Sequence, residues 1–312
     1  MKSITRKVPA GWIDIQVNGY VGVDFSAPGL TVADVRRATE ELVRRGTAAY
    51  CPTVVTSDLE RYEKNLPVLA AAMEEPDLEP HLLGIHLEGP FLSMDGRGAH
   101  QATLLRKPDA KLLDHWQTLA KGHVVLLTLA PELEGAEVLT RHAAASGIVV
   151  LLGHHVADGA SIDRAVRAGA RGCTHLGNGI PNLLPRHPNP IWSQLADDRL
   201  TGMFITDGHH LPSEFVQVAL RVKGLDRCII TSDAAAIAGL PPGRYSGMGG
   251  VELVSEPAGR ISLADSGVLA GSSATMADCM AWMRSWSHLD ERDLRKLGRE
   301  NPLRFLGVKE AD

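Results

Sequence analysis

The length and composition of the chain indicate an ordinary globular protein. It has 312 residues, of which 44% are hydrophobic and 22% charged, and its formal net charge is −5. This composition excludes the fibrous and disordered classes. The negative charge, without any block of Lys or Arg, argues against nucleic acid as a partner.

The cysteines and the N-terminus bear on the cellular compartment. The four cysteines are far apart and include no Cys-x-x-Cys pair, so we expect buried thiols and neither a disulfide framework nor a thiolate zinc site. The first residues lack the apolar core of a signal peptide, and no run of about 18 apolar residues occurs. The sequence therefore predicts a cytoplasmic enzyme without a membrane partner.

Short apolar runs alternate with stretches of helical periodicity along most of the chain. The predicted strands cover residues 12–17, 48–55, 81–87, 124–129, 148–152, 171–174, 201–205 and 227–231. The predicted helices cover residues 31–45, which begin with a capping threonine, 58–74, 131–146, 157–168 and 212–223. This alternation predicts a parallel sheet with helices packed against it.

The number of units and the placement of polar residues favour a closed barrel. About eight strand–helix units fill a chain of this length. Unusual polar clusters follow at least five strands, whereas an open sheet would use one switch point. We therefore predict an α/β fold, a (β/α)8 TIM-type barrel that forms a single catalytic domain over residues 1–312.

The segment after the last predicted strand departs from the repeat. Residues 245–270 are rich in glycine and contain short alternating runs at 251–254 and 260–263. They predict a small β-hairpin inserted after the last strand. The following residues, 272–308, have a helical pattern.

Polar motifs at the ends of the predicted strands could form one site. The motifs are His86-Leu87-Glu88-Gly89-Pro90, Gly153-His154, Thr174-His175-Leu176-Gly177-Asn178, Asp207-Gly208-His209-His210 and Thr231-Ser232-Asp233. Within them, Glu88, His154 and His175 are the ligand set expected for a catalytic zinc or a similar divalent ion. Such an ion lowers the pKa of a bound water to about 7. Isolated buried histidines with purely structural roles are the alternative.

Two further groups complete the predicted chemistry. Asp233 could move the proton of a hydrolytic reaction, although an aspartate there could also cap the following turn. Arg186 and His210 could hold a phosphate, and Asn178 with Gly179 offers an amide and an accessible backbone. Arg186 could equally be a solvated side chain, and the pair His209-His210 does not reveal which ring faces the site.

These motifs resemble those of the N-acetylglucosamine-6-phosphate deacetylases of the metal-dependent amidohydrolase superfamily. The resemblance extends from residues 11–19, Gly-Trp-Ile-Asp-Ile-Gln-Val-Asn-Gly, to residues 269–276, Leu-Ala-Gly-Ser-Ser-Ala-Thr-Met. It includes the Glu88 motif, Gly98-Ala99-His100 and Leu129-Ala130-Pro131-Glu132. It implies hydrolysis of the acetamide of an amino sugar phosphate to acetate and the free amine.

The resemblance also implies a role for each site residue. Glu88, His154 and His175 would bind the metal, Asp233 would be the general base, and His100 would polarise the acetyl carbonyl. The predicted substrate-binding residues are Gln16, Asn18, Ala99, His100, Asn178, Gly179, Arg186, Asp207, His210, Leu269, Ala270 and Gly271. Because the phosphate contact in relatives often comes from a neighbouring subunit, a homodimer is implied.

The sequence departs from the family pattern at three places, and each departure leads to an expectation about the structure. Many amidohydrolases have His-x-His at the end of the first strand, where this chain has Gln16 and Asn18, and neutral amides are poor ligands for a second zinc. We therefore predict one divalent metal per chain, zinc or iron. Few residues flank the barrel, so we expect a barrel-only version without the β-sandwich of relatives. The glycines in residues 175–180 should open the pocket.

Two other functions remain possible at the sequence level. The same hydrolysis could act on an unphosphorylated amino sugar or another N-acyl substrate. A non-catalytic barrel that binds a sugar phosphate is the more distant alternative. The set of metal ligands together with Asp233 favours the enzyme, because a binding protein needs neither a metal nor a proton acceptor.

Overall fold

Eight parallel strands form the centre of the computed structural model, which describes residues 4–247 and 251–311. The strands are β1 (Trp12–Val17), β2 (Thr47–Val55), β3 (Ile85–Glu88), β4 (Val124–Leu129), β5 (Val149–Leu152), β6 (Ala170–Cys173), β7 (Thr201–Ile205) and β8 (Cys228–Thr231). Each pairs in parallel with the next in sequence order.

A helix follows each of the eight strands and packs outside the sheet. These helices are α1 (Val32–Arg44), α2 (Leu59–Glu74), α3 (Ala110–Leu119), α4 (Ala136–Ala145), α5 (Gly159–Ala168), α6 (Pro190–Ala196), α7 (Ser213–Lys223) and α8 (Met276–Trp286). Two short helices, α9 (Glu291–Arg295) and α10 (Asn301–Leu306), follow, with one π-helical turn between them. The predicted TIM-type arrangement of strands and helices is confirmed.

The eighth strand returns to the first and nearly closes the barrel. Val17 and Ala234 form a parallel bridge, and the Asp233 amide donates to the Gln16 carbonyl at 3.1 Å. Below this bridge, the buried carboxylate of Asp14 accepts hydrogen bonds from the Thr231 hydroxyl at 2.7 Å and from the Ser232 amide at 3.2 Å. The end of β8 is therefore held against β1 by both backbone and side-chain contacts.

Apolar side chains fill the barrel below the polar strand ends. Ile13, Ile15, Leu151 and Ile229 belong to one buried cluster that includes Phe305 from α10. Because side chains alternate along a strand, the other apolar residues of the sheet pack outward against the helices in a second, larger cluster. Helix α10 thus closes one end of the barrel, and the carboxyl ends of the strands face the open end.

Several predicted boundaries shift for identifiable reasons. The third strand begins at Ile85 and not at residue 81, because Glu79–His81 form a 3-10 turn that contains a proline. Helix α4 begins at Ala136, after Gly135 at φ 87°. Helix α1 begins directly after the predicted capping residue Thr31. The Thr31 hydroxyl accepts from the Asp34 amide, and the Asp34 side chain completes a capping box that was not predicted. Helices α3 and α6 were not predicted.

The region after β8 forms three strands where a two-stranded hairpin was expected. Glu252–Ser255 pairs in antiparallel register with Ile261–Leu263 and also with Gly243–Ser246. The additional strand has mainly exposed residues and begins with glycine after two prolines, so its sequence resembles a loop. Residues 248–250 of the predicted insertion lie outside the described residues.

The two ends of the described chain pair with each other. Ile4–Arg6 forms a parallel pair with Val308–Glu310, so the helical prediction for the tail is wrong at its last residue. The buried Arg299 guanidinium donates to the Pro9 and Gly11 carbonyls at 2.9 and 2.7 Å and ties the last helices to the first residues. None of the helices among the described residues has the length and apolarity required to span a bilayer.

Candidate active site

Glu88, His154 and His175 meet at the carboxyl ends of the strands. Glu88 ends β3, and the two histidines follow β5 and β6. Glu88 Oε1 lies 3.2 Å from His154 Nε2 and 3.0 Å from His175 Nε2, and the two nitrogens are 3.0 Å apart. All three side chains are buried. The structure thus brings together the predicted ligand set around one point.

The local chemistry of this cluster fits a divalent cation. His154 Nδ1 donates to the Gly96 carbonyl at 3.1 Å, which leaves the Nε2 lone pair directed at the cluster. Burial alone would raise the pKa of Glu88, but the imidazoles of His154 and His175 hold it well below its usual range. One carboxylate and two nitrogen donors within 4.8 Å can therefore share a metal ion.

The loop after β6 approaches this cluster closely. Gly179 lies against the His154 ring, and a Cβ atom at Gly179 would be only 2.7 Å from His154 Nδ1. Its φ of 61° is also in the left-handed region, which favours glycine. The glycine that distinguishes this loop therefore permits the backbone to pack on a predicted metal ligand.

Asp233 lies beside the cluster and is held by two amides. Its Oδ1 accepts from Gln16 Nε2 at 3.0 Å and from Asn18 Nδ2 at 2.7 Å, and Gln16 Nε2 also donates to Glu88 Oε1 at 2.7 Å. Burial, with the negative charge of Glu88, raises the pKa of Asp233, and a cation held by the neighbouring cluster would oppose this rise. Both amides donate to Oδ1. Among the described residues, no group donates a hydrogen bond to the other carboxylate oxygen, Oδ2.

His100 completes the group of polar side chains near the cluster. Its Nε2 lies 3.2 Å from His154 Nε2, and its ring meets the His154 ring edge to face. Burial, followed by the proximity of His154, lowers the pKa of His100 to about 3. His100 is therefore neutral near pH 7 and can donate one hydrogen bond to a carbonyl.

These groups form part of the wall of a cavity of about 1230 Å³. The predicted substrate-binding residues that line it are Asn18, Ala99, His100, Asn178, Gly179, His210, Leu269, Ala270 and Gly271. The Asn178 side-chain Nδ2 is buried and has no hydrogen-bond partner among the described residues. It is thus a donor available to a ligand in the cavity.

Gln16, Asp207 and Arg186 occupy different places from those predicted. Gln16 is fully buried between Glu88 and Asp233 and does not line the cavity. Asp207 also lies outside the cavity wall and accepts from His210 Nδ1 at 2.8 Å, which orients that ring. Arg186 is exposed and does not line the cavity within the single chain. The first two residues therefore position other side chains.

Asp24 and Arg61 line the cavity but were missed by the sequence reasoning. Asp24 ends a two-residue strand after β1, Val23–Asp24, which pairs in antiparallel register with Gly19–Tyr20, and Arg61 is in the first turn of α2. A charged residue in such a short strand or in the first turn of a helix is ordinarily solvated, so the local pattern contains no signal for either. Only the packing of the loops over the barrel brings them into the cavity wall.

Known proteins resemble the chain over nearly all its length, although no family model matches it. The Bacillus subtilis N-acetylglucosamine-6-phosphate deacetylase is 32% identical over 301 residues, which are 96% of this chain and 75% of that protein. The chain belongs to the N-acetylglucosamine-6-phosphate deacetylase family. The Escherichia coli O157:H7 N-acetylgalactosamine-6-phosphate deacetylase is 31% identical over 95% of this chain and 77% of its own length.

A solved structure extends this likeness to three dimensions. A mutant N-acetyl-D-glucosamine-6-phosphate deacetylase from Mycobacterium smegmatis, in complex with N-acetyl-D-glucosamine-6-phosphate, superposes with a TM-score of 0.88 and 29% identity. The match covers 96% of this chain and 77% of that chain. Membership of the deacetylase family therefore rests on both sequence and fold, and the resemblance inferred from the motifs is confirmed.

Proposed function

We propose that the protein hydrolyses the acetamide of an N-acetylhexosamine 6-phosphate, with N-acetylglucosamine 6-phosphate as the first candidate. The observation that carries this proposal is the convergence of Glu88, His154 and His175 beside Asp233 in one cavity. The names of the Bacillus subtilis and Mycobacterium smegmatis relatives support the substrate class. The products would be acetate and the amino sugar phosphate.

A single divalent cation, zinc or iron(II), would be held by Glu88, His154 and His175. When bound, such a cation polarises an amide carbonyl and makes water a better nucleophile. Gln16 and Asn18 occupy the place where other amidohydrolases have two histidines, and both donate to Asp233. Their amide nitrogens are therefore engaged with carboxylates, which supports a site for one metal.

Side chains of this protein would polarise the carbonyl and transfer the protons. His100, neutral and facing the cavity, donates a hydrogen bond to the acetamide oxygen as negative charge develops there. Asp233 accepts the proton of the attacking water on its free oxygen and delivers it to the amine nitrogen as the carbon–nitrogen bond breaks. Gln16 and Asn18 hold Asp233 in position for both transfers.

The other cavity residues would bind the sugar phosphate. Asn178 presents an amide donor to the cavity, His210 presents the ring nitrogen that does not bind Asp207, and Gly179 contributes its backbone. Arg186 would reach the phosphate in the site of a second subunit, which explains its exposure in the single chain. We therefore propose a homodimer of single-domain catalytic barrels.

Acetate release from a panel of substrates tests this function. Metal-analysed protein is assayed with the phosphorylated and unphosphorylated forms of N-acetylglucosamine and N-acetylgalactosamine. We expect hydrolysis of a phosphorylated sugar and at least about a hundredfold loss of kcat in Asp233→Asn with metal retained, because the proton transfer is removed. Equal rates without the phosphate would favour the broader N-acyl hydrolase, and a fully active Asp233→Asn would contradict the assigned role.

A further inference from the structure

A buried chain of three polar side chains lies beside the predicted metal ligands inside the barrel. His86 Nε2 is 2.8 Å from Thr128 Oγ1, and Thr128 Oγ1 is 2.7 Å from Thr174 Oγ1. All three side chains are buried, and none of them lines the cavity. The proposed function assigns no role to these residues, which we call the polar chain.

The chemistry of these groups sets the direction of each hydrogen bond. His86 Nδ1 lies 3.2 Å from the Ile15 carbonyl, which can only accept, so Nδ1 carries a proton. Burial disfavours a charged imidazole, so Nε2 accepts from the Thr128 hydroxyl. The Thr128 oxygen then accepts from the Thr174 hydroxyl. Thr128 thus donates and accepts through a single hydroxyl, which valine could not replace.

The polar chain connects strands that carry predicted metal ligands. His86 is two residues before Glu88, on the same face of β3. Thr174 follows β6 and directly precedes His175. Thr128 belongs to β4, which supplies no predicted ligand, and it is the register partner of Glu88. The two hydrogen bonds of Thr128 therefore link β3 to β6, and with them the backbone positions of Glu88 and His175.

A glycine at the end of β5 leaves room for this link. Gly153 follows β5, which lies between β4 and β6, and it directly precedes His154. A Cβ atom at Gly153 would be 2.7 Å from Thr174 Cβ and 2.8 Å from Thr128 Cγ2. Both distances are too short for carbon atoms, and the χ1 angle of a threonine has few alternatives. The absence of a side chain at Gly153 therefore allows the two hydroxyls to meet.

The two predicted histidine ligands differ in how their rings are held. A metal-bound histidine almost always donates its other ring nitrogen to a carbonyl, a carboxylate or a water. His154 Nδ1 donates to the Gly96 carbonyl at 3.1 Å. His175 Nδ1 is buried and has no hydrogen-bond partner within residues 4–247 and 251–311. The position of His175 therefore depends on its backbone, which the polar chain anchors at the preceding residue, Thr174.

We propose that the members of the polar chain are positioning residues, which hold Glu88 and His175 at the separation that one divalent cation requires. This inference rests on the metal site of the proposed function. A preorganised site loses less conformational freedom when it binds, so the polar chain should raise the affinity for the metal. Its loss would weaken metal binding without changing any group that contacts the metal or the substrate.

The metal affinity of threonine variants tests this role. Thr128→Val keeps the shape of the side chain and removes its hydroxyl, whereas Thr128→Ser keeps the hydroxyl. Metal-depleted protein is titrated with Zn²⁺ against a chromophoric chelator, and with Co²⁺ to record the visible spectrum of the bound ion. We expect the Zn²⁺ Kd of Thr128→Val to rise about tenfold to a hundredfold, as for other groups that orient metal ligands, and its Co²⁺ spectrum to change. Thr128→Ser should retain the wild-type Kd and spectrum.

Thr174→Val is a second variant that breaks the same link from its other side. Its Zn²⁺ Kd should also rise. The double variant should bind Zn²⁺ about as tightly as Thr128→Val alone, because the hydroxyl pair is already lost there. With the metal site saturated, the KM for the sugar phosphate should equal that of the wild type in all these variants, since the polar chain lies outside the cavity wall.

Thr39→Val is the matched control. Thr39 is also a buried threonine that pairs with a hydroxyl, that of Tyr50 at 2.9 Å, but it lies on α1 outside the sheet. Its Zn²⁺ Kd should equal that of the wild type. An equal loss of affinity in Thr39→Val, or a wild-type Kd in both Thr128→Val and Thr174→Val, would overturn the positioning role while the metal site stands. A wild type that binds neither Zn²⁺ nor Co²⁺ would instead overturn the proposed metal site itself.

Discussion

At the scale of single residues, three of the proposed functional side chains have unusual backbone conformations. His154, His175 and Asp233 have φ values of 53°, 27° and 52°, in a region that residues with a Cβ rarely adopt. Each such residue costs on the order of 1–3 kcal/mol, and the surrounding structure must compensate. Each of the three is the second residue after the last residue of a strand. The backbone turns there and directs the side chains toward the common centre.

The interaction between Asp207 and His210 predicts that the unfolding free energy of the protein depends on pH. Burial raises the pKa of Asp207, but the His210 imidazole and two backbone amides outweigh it and lower the pKa to about 2, from 3.8. Because the folded-state pKa is depressed, the stabilisation is complete above pH 3.8 and is lost as the pH falls through 2. We expect Asp207→Asn to lose about 2 kcal/mol of unfolding free energy at pH 7 and much less at pH 2.

Urea unfolding of wild type and variant across this pH range measures the difference. Asp198→Asn is the control, because Asp198 forms an exposed ion pair with Arg227 at 2.8 Å. Exposed pairs contribute little, so its unfolding free energy should stay near that of the wild type throughout. An Asp207→Asn difference of the same size at pH 2 and pH 7 would show that charge does not cause it.

At the scale of elements, the contact between the first and last strands depends on Asp14. Its carboxylate binds Thr231 and Ser232 at the end of β8 and the Gln16 amide within β1. Burial raises the pKa of Asp14, and these hydrogen bonds oppose the rise. The same two strand ends carry Gln16 and Asp233, so this closure also positions the proposed proton acceptor.

Removal of the Asp14 carboxylate should weaken the closure of the barrel. We expect Asp14→Ala to lower the unfolding free energy by about 3 kcal/mol, because buried donors from β8 are left unpaired. Asp278→Ala, which removes an exposed capping-box aspartate from α8, should cost only about 1 kcal/mol. Denaturant unfolding compares the two variants. Similar losses would contradict a special role for Asp14.

Local sequence patterns predicted most of the helices and strands, but not all of their first and last residues. The eight strands were found because their apolar runs are short and bounded by turn residues. Helix α6 was missed although Asn189 caps it and proline occupies its first position, because its seven residues show too little periodicity. The strand Gly243–Ser246 was missed because its pairing partner, and not its own sequence, makes it a strand.

At the scale of the whole molecule, the proposed site is incomplete within one chain. Asn178 and His210 line the cavity, but the predicted phosphate ligand Arg186 lies outside it and is exposed. A second subunit would supply the missing cation if the dimer exchanges this loop between sites. The oligomer and the phosphate specificity are thus parts of the same proposal.

Co-expression of two inactive variants tests whether Arg186 acts in the site of the neighbouring subunit. Arg186→Ala and Asp233→Asn are co-expressed and assayed at substrate concentrations well below KM. If Arg186 acts in the neighbouring site, random pairing should restore about a quarter of wild-type activity, because half the dimers contain one intact site of two. Each variant alone is the control. Activity equal to the average of the two separate variants would show that Arg186 acts within its own subunit or not at all.

Removal of the metal should abolish activity and lower the thermal stability of the protein. We expect one divalent ion per chain by elemental analysis, and loss of activity with a lower Tm after treatment with a chelator. A ligand at about a thousandfold excess over its Kd stabilises the folded state by about 4 kcal/mol. Glu88→Gln should show the lower Tm without chelator treatment. Two ions per chain in the active wild type would contradict the single-metal prediction.

The sequence alone determined the order of strands and helices, the ligand types at the strand ends and the family, because each depends on short-range periodicity and on motifs. The tertiary structure decided the neighbours of each polar group. Gln16 contacts Asp233 across 217 positions, and Glu88 across 72. It likewise placed Arg186 outside the cavity and Asp24 with Arg61 inside it. Such contacts follow from how the loops pack over a closed barrel, which no local pattern encodes.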